Sequence, residues 1–173
     1  MTNTGTTLLA EPEPGIASFR AAMGVFPTGV TLLTQGTGDE LIVMTLNSLT
    51  SVSLDPLLLL VSVKKDGRMR PRVARSGSFA VNVLAEADRE LSKEFARPDR
   101  AEGVRAMRLM GAVEGVSGNA LLPSATAAFE CRLHAEHEAG DHVLLIGRVV
   151  ALHSAAPDDR PLLFHRGRYA ALS

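Results

Sequence analysis

A dense row of short polar side chains lies directly before an apolar segment of this sequence. Residues 45–56 read TLNSLTSVSLDP, in which five of the first nine side chains carry a hydroxyl and Asn47 adds an amide. The apolar residues 57–63 that follow are typical of a core strand buried on both faces. Alternation along the row puts Thr45, Asn47, Leu49, Ser51 and Ser53 on one face. Two interpretations stay open: a half-exposed strand, or a platform whose hydrogen-bonding groups hold a flat heterocycle and a phosphate.

A basic segment follows the apolar residues. Residues 64–72 read KKDGRMRPR, with five basic side chains and a single Asp. Most charge runs of this kind are solvated loops. A loop that leaves a core strand is also a good place for phosphate-binding cations. The guanidinium group of Arg68 could bind a phosphate through bidentate hydrogen bonds. Both interpretations stay open.

The remaining candidates for chemistry are histidines and one cysteine. The triplet GDH at residues 140–142 lies at an expected hairpin turn and is a weak signal by itself. His134 and His137 would face opposite sides of a strand, and no Cys pair or HExxH spacing accompanies them, so we expect no metal site. Cys131 belongs to an apolar alternation and is expected in the core. No GxGxxG follows a strand, so any dinucleotide would be held without a Rossmann fold.

The composition narrows the class of protein. The 173 residues suffice for one domain, and the single cysteine excludes an intrachain disulfide framework. A net charge of −1 and a pI near 6.5 favour neither nucleic acid nor an acidic membrane as a partner. No apolar run has the length of a membrane span. Residues 1–15 lack the pattern of a signal peptide, so we expect a mobile tail, a domain over residues 16–173 and a cytoplasmic location.

Hydrophobic periodicity indicates a mainly β domain. A helix is expected over residues 15–25, ending before Pro27, and a short one over residues 88–95. Strands are expected over residues 30–35, 41–48, 57–63, 78–84, 129–136, 143–152 and 162–164. Residues 97–122 are polar, with weak structural signals. Because helices do not regularly separate the strands, we expect a closed or split antiparallel barrel with Greek-key connections and a few short flanking helices.

Several of these stretches together resemble one family. They are FPTGVTLLT (26–34), MTLNSLTSVSLDPLLLLVSV (44–63), SGSFAVNVL (76–84), FECRLHAEHEAGDHVLLIGRVV (129–150) and PLLFHRGRY (161–169). In this order they resemble the flavin reductase family, the small NAD(P)H:flavin oxidoreductases that serve two-component flavin monooxygenases. The resemblance implies an FMN-binding split β-barrel, usually a homodimer with its flavin sites near the subunit interface. It implies FMN or FAD with NADH or NADPH, transient transfer of reduced flavin to a monooxygenase, and neither nucleic acid nor a membrane as partner.

The resemblance also assigns site residues. Flavin contacts are assigned to Thr28, Gly29, Val30, Thr45, Leu46, Asn47, Ser48, Thr50, Ser51, Ser62, Lys64, Lys65, Asp66 and Arg68. Contact with the nicotinamide nucleotide is assigned to His142, as the catalytic residue, and to Arg168 and Tyr169. The chain departs from many family members at Gly67 and Met69, where they carry hydroxyls, and we expect basic side chains to compensate for these here. This KDxxM form resembles reductases from actinobacterial natural-product pathways.

Three functions compete at this point. The first is an enzyme that uses NAD(P)H to reduce free flavin, and the second is a flavin carrier or sensor without turnover. The third and weakest is an enzyme resembling pyridoxamine-phosphate oxidases, which share the general fold. The GDH triplet favours the first, because a carrier does not need a nicotinamide site. Hydride transfer needs close stacking and exclusion of water, so the lack of a carboxylate pair is no objection.

Overall fold

The computed structural model describes residues 13–154 and 160–172, and β-strands dominate this part of the chain. Most of the expected mobile tail, residues 1–12, lies outside the described residues. The helices are α1 (Ile16–Gly24), α2 (Met69–Ser76), α3 (Arg89–Ala96) and α4 (Gly103–Met110), with 3-10 turns at Gly38–Glu40 and Glu86–Asp88. The strands are β1 (Thr28–Gly29), β2 (Thr31–Gln35), β3 (Ile42–Leu46), β4 (Thr50–Leu54), β5 (Leu57–Lys64), β6 (Ser78–Val83), β7 (Val113–Glu114), β8 (Ala120–Leu121), β9 (Ala127–Ala139), β10 (His142–Ser154), β11 (Leu163–His165) and β12 (Arg168–Ala170). No helix in the described ranges is long and apolar enough to cross a bilayer.

One large sheet forms the barrel. Its seven strands follow the order β3-β2-β6-β9-β10-β5-β4, and every neighbouring pair is antiparallel. Strands β3 and β4 lie at opposite edges, yet only residues 47–49 connect them. Because so few residues span at most about 14 Å, the two edges must come together. The prediction of an antiparallel barrel is therefore confirmed.

A single serine fastens this closure. The hydroxyl of Ser48 accepts a hydrogen bond from the backbone N–H of Ser62 at 2.9 Å and donates one to the Ser62 carbonyl at 3.2 Å. Ser62 lies in β5, so these bonds attach the connection to the second strand from the far edge. We call residues 47–49 the clasp.

Two large apolar clusters stabilise the barrel, beside a small one of Ala80, Leu121 and Ala128. The interior cluster includes Val61, Phe79, Cys131 and Leu145. The outer cluster packs β2 and β3 against α3 and α4 and includes Leu32, Val43, Phe95, Ala106 and Met110. Burial raises the pKa of the Cys131 thiol to about 12, which fits the predicted core position.

A glycine makes room inside the barrel. The pairing of β9 and β10 shifts register between Ile146 and Gly147. A Cβ at Gly147 would lie 2.5 Å from Cζ of Phe79 and 2.8 Å from Cβ of Cys131. The phenyl ring therefore occupies the space that any side chain at this position would need.

Several predictions about elements were wrong. The polar row is not one strand, because the clasp separates β3 from β4 and breaks the expected alternation of faces. The basic segment is not wholly a loop, since α2 begins at Met69, and residues 97–122 contain α4, β7 and β8. The strand buried on both faces is β2, whereas in β5 only alternate residues are buried and Leu57 is exposed. Helices α3 and α4 pack in the same cluster as β2 and β3, whereas the alternate residues of β5 stay partly or fully exposed.

The sequence predicts that one face of β9 is exposed to solvent, and this prediction is wrong at one position. Glu130 is fully buried, where it accepts hydrogen bonds from the Ser117 N–H at 2.6 Å and from Nε2 of His153 at 2.8 Å. Burial by itself raises the pKa of this carboxyl group, but the hydrogen bonds outweigh burial and hold its pKa below the ordinary value. Glu130 thereby links the loop at Ser117 to the barrel.

Candidate functional site

The clasp and the start of the basic segment border a cavity of about 490 Å³. This volume lies in the range of small-molecule sites. Its lining consists of Met44, Thr45, Leu46, Asn47, Ser48, Ser62, Val63, Lys64, Gly67, Arg68, Met69, Ala96, Pro98, Arg100 and His142. The lining therefore combines apolar surface for a ring system with hydroxyl, amide and cationic groups.

The polar wall of the cavity is held in place by its own hydrogen bonds. Thr45 donates through Oγ1 to the Ser92 carbonyl of α3 at 2.7 Å. Asn47 donates through Nδ2 to Oγ1 of Thr28 at 3.1 Å. With Ser48 bonded to Ser62, three side chains of the polar row fix the wall. The clasp itself takes no part in the strand registers, so its backbone groups are available to a ligand.

The lining of the cavity also includes a group of cations. Lys64, Arg68 and Arg100 all border it, and no carboxylate is among the lining residues that the structure describes. Arg68 pairs with Glu102 through Nη2 and Oε1 at 2.7 Å. Burial and the nearby positive charge of Arg68 lower the pKa of Arg100. A chain whose net charge is only −1 thus concentrates positive charge at one cavity, which favours an anionic ligand.

His142 begins β10 and lies opposite Lys64 across the strand pair. Its Nδ1 lies 2.8 Å from Oδ1 of Asp141, and the Asp141 carbonyl accepts a hydrogen bond from the Lys65 N–H at 3.0 Å. The hydrogen bond with His142 holds the pKa of Asp141 below its ordinary value. The GDH turn therefore orients the imidazole at the edge of the cavity. Within the described ranges, no cluster of three or more His, Cys, Asp or Glu residues could hold a metal ion.

A smaller cavity of about 180 Å³ adjoins the first and shares Thr45, Leu46, Asn47 and Ala96 with it. Val30, Ser92, Phe164 and Tyr169 complete its lining. The Tyr169 hydroxyl lies 2.8 Å from Oγ of Ser92, and its ring meets that of Phe164 edge-on at 5.6 Å between centroids. The C-terminal hairpin thereby forms one wall beside the polar row.

The structure brings together most of the residues that the sequence singles out. Eight line the main cavity: Thr45, Leu46, Asn47, Ser48, Ser62, Lys64, Arg68 and His142. Val30 and Tyr169 line the adjoining cavity, and Thr28, with Gly29 next to it in β1, contacts the wall through Asn47.

Besides Thr28 and Gly29, five predicted residues lie outside both cavities. Ser51 lines a separate apolar groove, while Thr50 and Arg168 are exposed on their strands. Lys65 pairs with Glu138 at 2.7 Å, and Asp66 is exposed in the turn before α2.

Sequence reasoning missed Arg100 as a lining residue. It follows α3 in a stretch without clear periodicity, and its Nε donates to the Val43 carbonyl at 2.7 Å. This contact joins residues 57 positions apart. No local pattern marks such an arginine, because only the docking of α3 on β3 brings it to the cavity.

The geometry suits a flat, phosphate-bearing ligand, and comparison with known proteins agrees with it. A family model described as "Flavin reductase like domain" matches residues 23–173. NADH-dependent FMN reductase AsuE2 of Streptomyces nodosus subsp. asukaensis is 46% identical over 160 residues, which cover 92% of this chain and 86% of that protein.

Solved structures are similar over nearly the whole chain. The Streptomyces globisporus C-1027 NADH:FAD oxidoreductase SgcE6 has a TM-score of 0.86 and 37% identity, covering 97% of this chain and 99% of its own. A further structure of that protein contains NAD and FAD fragments. BorF, the flavin reductase component of a bacterial two-component tryptophan halogenase, has a TM-score of 0.84 and 36% identity, covering 90% of this chain and 97% of its own.

Proposed function

Because this chain belongs to the flavin reductase family, we propose that it uses NADH to reduce free flavin, FMN or FAD, and passes the reduced flavin to a separate monooxygenase component. The resemblance found in the sequence is thereby confirmed at the level of the family. Relatives named as NADH-dependent FMN and FAD reductases support the reaction. A relative named as the reductase subunit of a flavin-dependent monooxygenase supports the transfer.

The observation that carries this proposal is the pairing of a hydroxyl and amide wall with three cations around one cavity. The apolar side chains of Met44, Leu46 and Met69 offer surface to a ring system, while Lys64, Arg68 and Arg100 match phosphate. The residues present therefore fit a flavin nucleotide. We assign the flavin to the clasp and the basic segment.

The residues of this chain would act by position rather than by proton transfer. A bound flavin supplies the acceptor for a hydride from reduced nicotinamide. The clasp and Thr45 would hold the plane of the flavin, and His142, oriented by Asp141, would hold the dinucleotide beside it. Tyr169 and Phe164 would exclude water from the adjoining cavity. Close approach of two oriented reactants accounts for the acceleration that such a site needs.

A homodimer completes the proposal. The groove that contains Ser51 has a volume of about 290 Å³, and its lining is almost wholly apolar. Leu54 and Leu152 at this groove are 83% and 61% exposed, and Phe19 of α1 is 61% exposed. Exposed apolar surface of this extent is typical of an interface between chains. An interface there would also bring Thr50, Ser51 and their flanking residues close to a neighbouring subunit.

We also place the protein in the cytoplasm. Its proposed hydride donor, NADH, is a metabolite of the cell interior, and Cys131 is a buried free thiol that suits a reducing compartment.

The deciding experiment follows the loss of the near-ultraviolet absorbance of NADH after addition of FMN, FAD or riboflavin. We expect oxidation of NADH that depends on flavin and does not require a monooxygenase. Flavin binding without any oxidation of NADH would instead identify a carrier or sensor. Repeating the assay with NADPH determines which dinucleotide the site prefers.

A further inference from the structure

An ion pair at the rim of the main cavity joins two segments that are distant in the chain. Arg68 ends the turn before α2, and Glu102 directly precedes α4. Their side chains are 59% and 35% exposed, and their charged atoms lie 2.7 Å apart. Exposed ion pairs of this kind contribute little to stability. Arg68 is therefore free to exchange Glu102 for another anion at small cost.

Arg100 stands beside this pair in a fixed orientation. Its Nε donates to the Val43 carbonyl and its Nη1 to the Arg97 carbonyl, at 2.7 and 3.1 Å. In the part of the chain that the structure describes, no carboxylate forms an ion pair with Arg100 and no acceptor bonds to its Nη2. A preorganised, half-buried guanidinium next to a second one is an unfavourable arrangement that a bound anion would relieve.

The neighbouring turn leaves few neutral donors for such an anion. Gly67 and Met69 carry no hydrogen-bonding side chains. A Cβ at Gly67 would lie 3.1 Å from the Lys64 carbonyl oxygen, so the turn has little room for one. At this turn the side-chain donors for an anion are therefore the cations.

We propose that Arg68 and Arg100 form a clamp for a nucleotide phosphate, and that Glu102 is a built-in competitor which the phosphate displaces from Arg68. This inference rests on the proposed function, since it names the group of the flavin or of the dinucleotide that the cavity recognises. Two guanidinium forks match the tetrahedral oxygens of a phosphate. Glu102 then keeps Arg68 neutralised between turnovers and weakens the hold on a ligand that must leave.

The test measures equilibrium binding of FMN and riboflavin by quenching of flavin fluorescence. Loss of one charge-assisted contact corresponds to roughly a 10- to 100-fold change in affinity. We expect Arg100→Gln to weaken FMN binding by this amount and to reduce the preference for FMN over riboflavin. Glu102→Gln should do the opposite and tighten FMN binding about 3- to 10-fold. Thermal unfolding shows whether each variant is folded.

Matched controls lie on the same surface. Arg97→Gln removes an arginine that pairs with Glu94 and Asp99, and Glu90→Gln removes a glutamate that pairs with Lys93. Neither residue borders the cavity, so both variants should keep the wild-type preference for FMN. A loss of that preference in either control would show that general surface charge governs binding and would overturn the clamp.

A second arm identifies the source of the phosphate. The KM for NADH is measured with riboflavin, which carries no phosphate, as the acceptor. If the clamp holds the dinucleotide, Arg100→Gln raises this KM and leaves the preference for FMN unchanged. If neither quantity moves in Arg100→Gln, the clamp does not exist, and if neither moves in Glu102→Gln, that residue is no competitor. Wild-type protein that binds FMN but never oxidises NADH would refute the proposed function while the binding arm still tests the clamp.

Discussion

At the scale of single residues, the polar motif before β5 indicated the position of the cavity better than charge or spacing did. The side chains from Thr45 to Ser48 were recognisable because short polar groups are unusual beside a core strand. Their roles differ from a simple platform, since the hydroxyls of Thr45 and Ser48 bond to the protein itself. Arg100 could not be found from the sequence, because its place depends on contacts between distant segments.

The assignment of His142 to the dinucleotide leads to a kinetic prediction. His142→Ala should lower kcat/KM for NADH by roughly 5- to 150-fold, the effect of losing about 1–3 kcal/mol of polar contact. Flavin affinity should change little, because the clasp and the cations stay in place. Steady-state kinetics with varied NADH, together with flavin titration, checks both parts. His137→Ala, an exposed histidine of β9, serves as the control; equal loss of flavin binding in His142→Ala would indicate a structural role.

Glu130 leads to a prediction about pH. Its folded-state pKa is lowered, so the stability it contributes is complete above the unfolded pKa and is lost as pH falls through the folded pKa. Glu130→Gln should therefore lower the Tm at neutral pH, and the difference from wild type should narrow in acid. Thermal unfolding over a range of pH measures this, with the exposed Glu114→Gln as control. A difference that stays constant with pH would contradict it.

At the scale of elements, hairpins were predictable and short helices were not. The β2–β3 and β9–β10 hairpins follow clear turn signals at Gly36 and Gly140, both of which have positive φ. Helix α2 was missed because its basic residues were interpreted as a loop; Pro71 lies in its first turn, where proline is tolerated. Helix α4 buries only Ala106 and Met110, four residues apart, which is too short a pattern to stand out.

The contact at Gly147 leads to a prediction about stability. Gly147→Ala places a methyl group against Phe79 and Cys131 and should destabilise the fold by about 1–3 kcal/mol through overpacking. Chemical denaturation followed by circular dichroism measures the change in the free energy of unfolding. Gly15→Ala is the matched control, because a Cβ there meets nothing within 4 Å. Equal stability of the two variants would mean that the barrel relaxes around position 147.

At the scale of the whole molecule, a second copy of the chain would cover the exposed apolar surface of the first, as the proposed homodimer requires. The run of leucines in β5 suggested burial on both faces, and one of those faces is open in the single chain. The prediction that β5 is buried on both faces is wrong for the single chain, but in a dimer both faces would be buried. The domain boundary at residue 16 stays a prediction, and the family match begins at residue 23.

The proposed interface can be broken by one charge. Leu54→Glu should shift the protein from dimer to monomer, because a carboxylate at an apolar interface loses its hydration. Sedimentation velocity over a range of concentrations reports the change in mass. Leu109→Glu, at an exposed leucine of α4 away from the groove, should leave the mass unchanged. A wild-type protein that sediments as a monomer at all concentrations would refute the interface.

The clasp has two roles in the molecule, and this combination has a physiological consequence. Ser48 both fastens the closure of the barrel and, with Asn47, borders the cavity, so ligand binding and barrel closure are thermodynamically linked. A ligand present at a hundred times its Kd adds about 2.7 kcal/mol to the stability of the native state. Saturating FMN should therefore slow hydrogen exchange at residues 47–49 more than at the distant hairpin β7–β8. In a cell, the lifetime of such a reductase should follow the supply of its flavin, because linkage predicts that the unliganded barrel would open more often at this point and be cleaved by proteases.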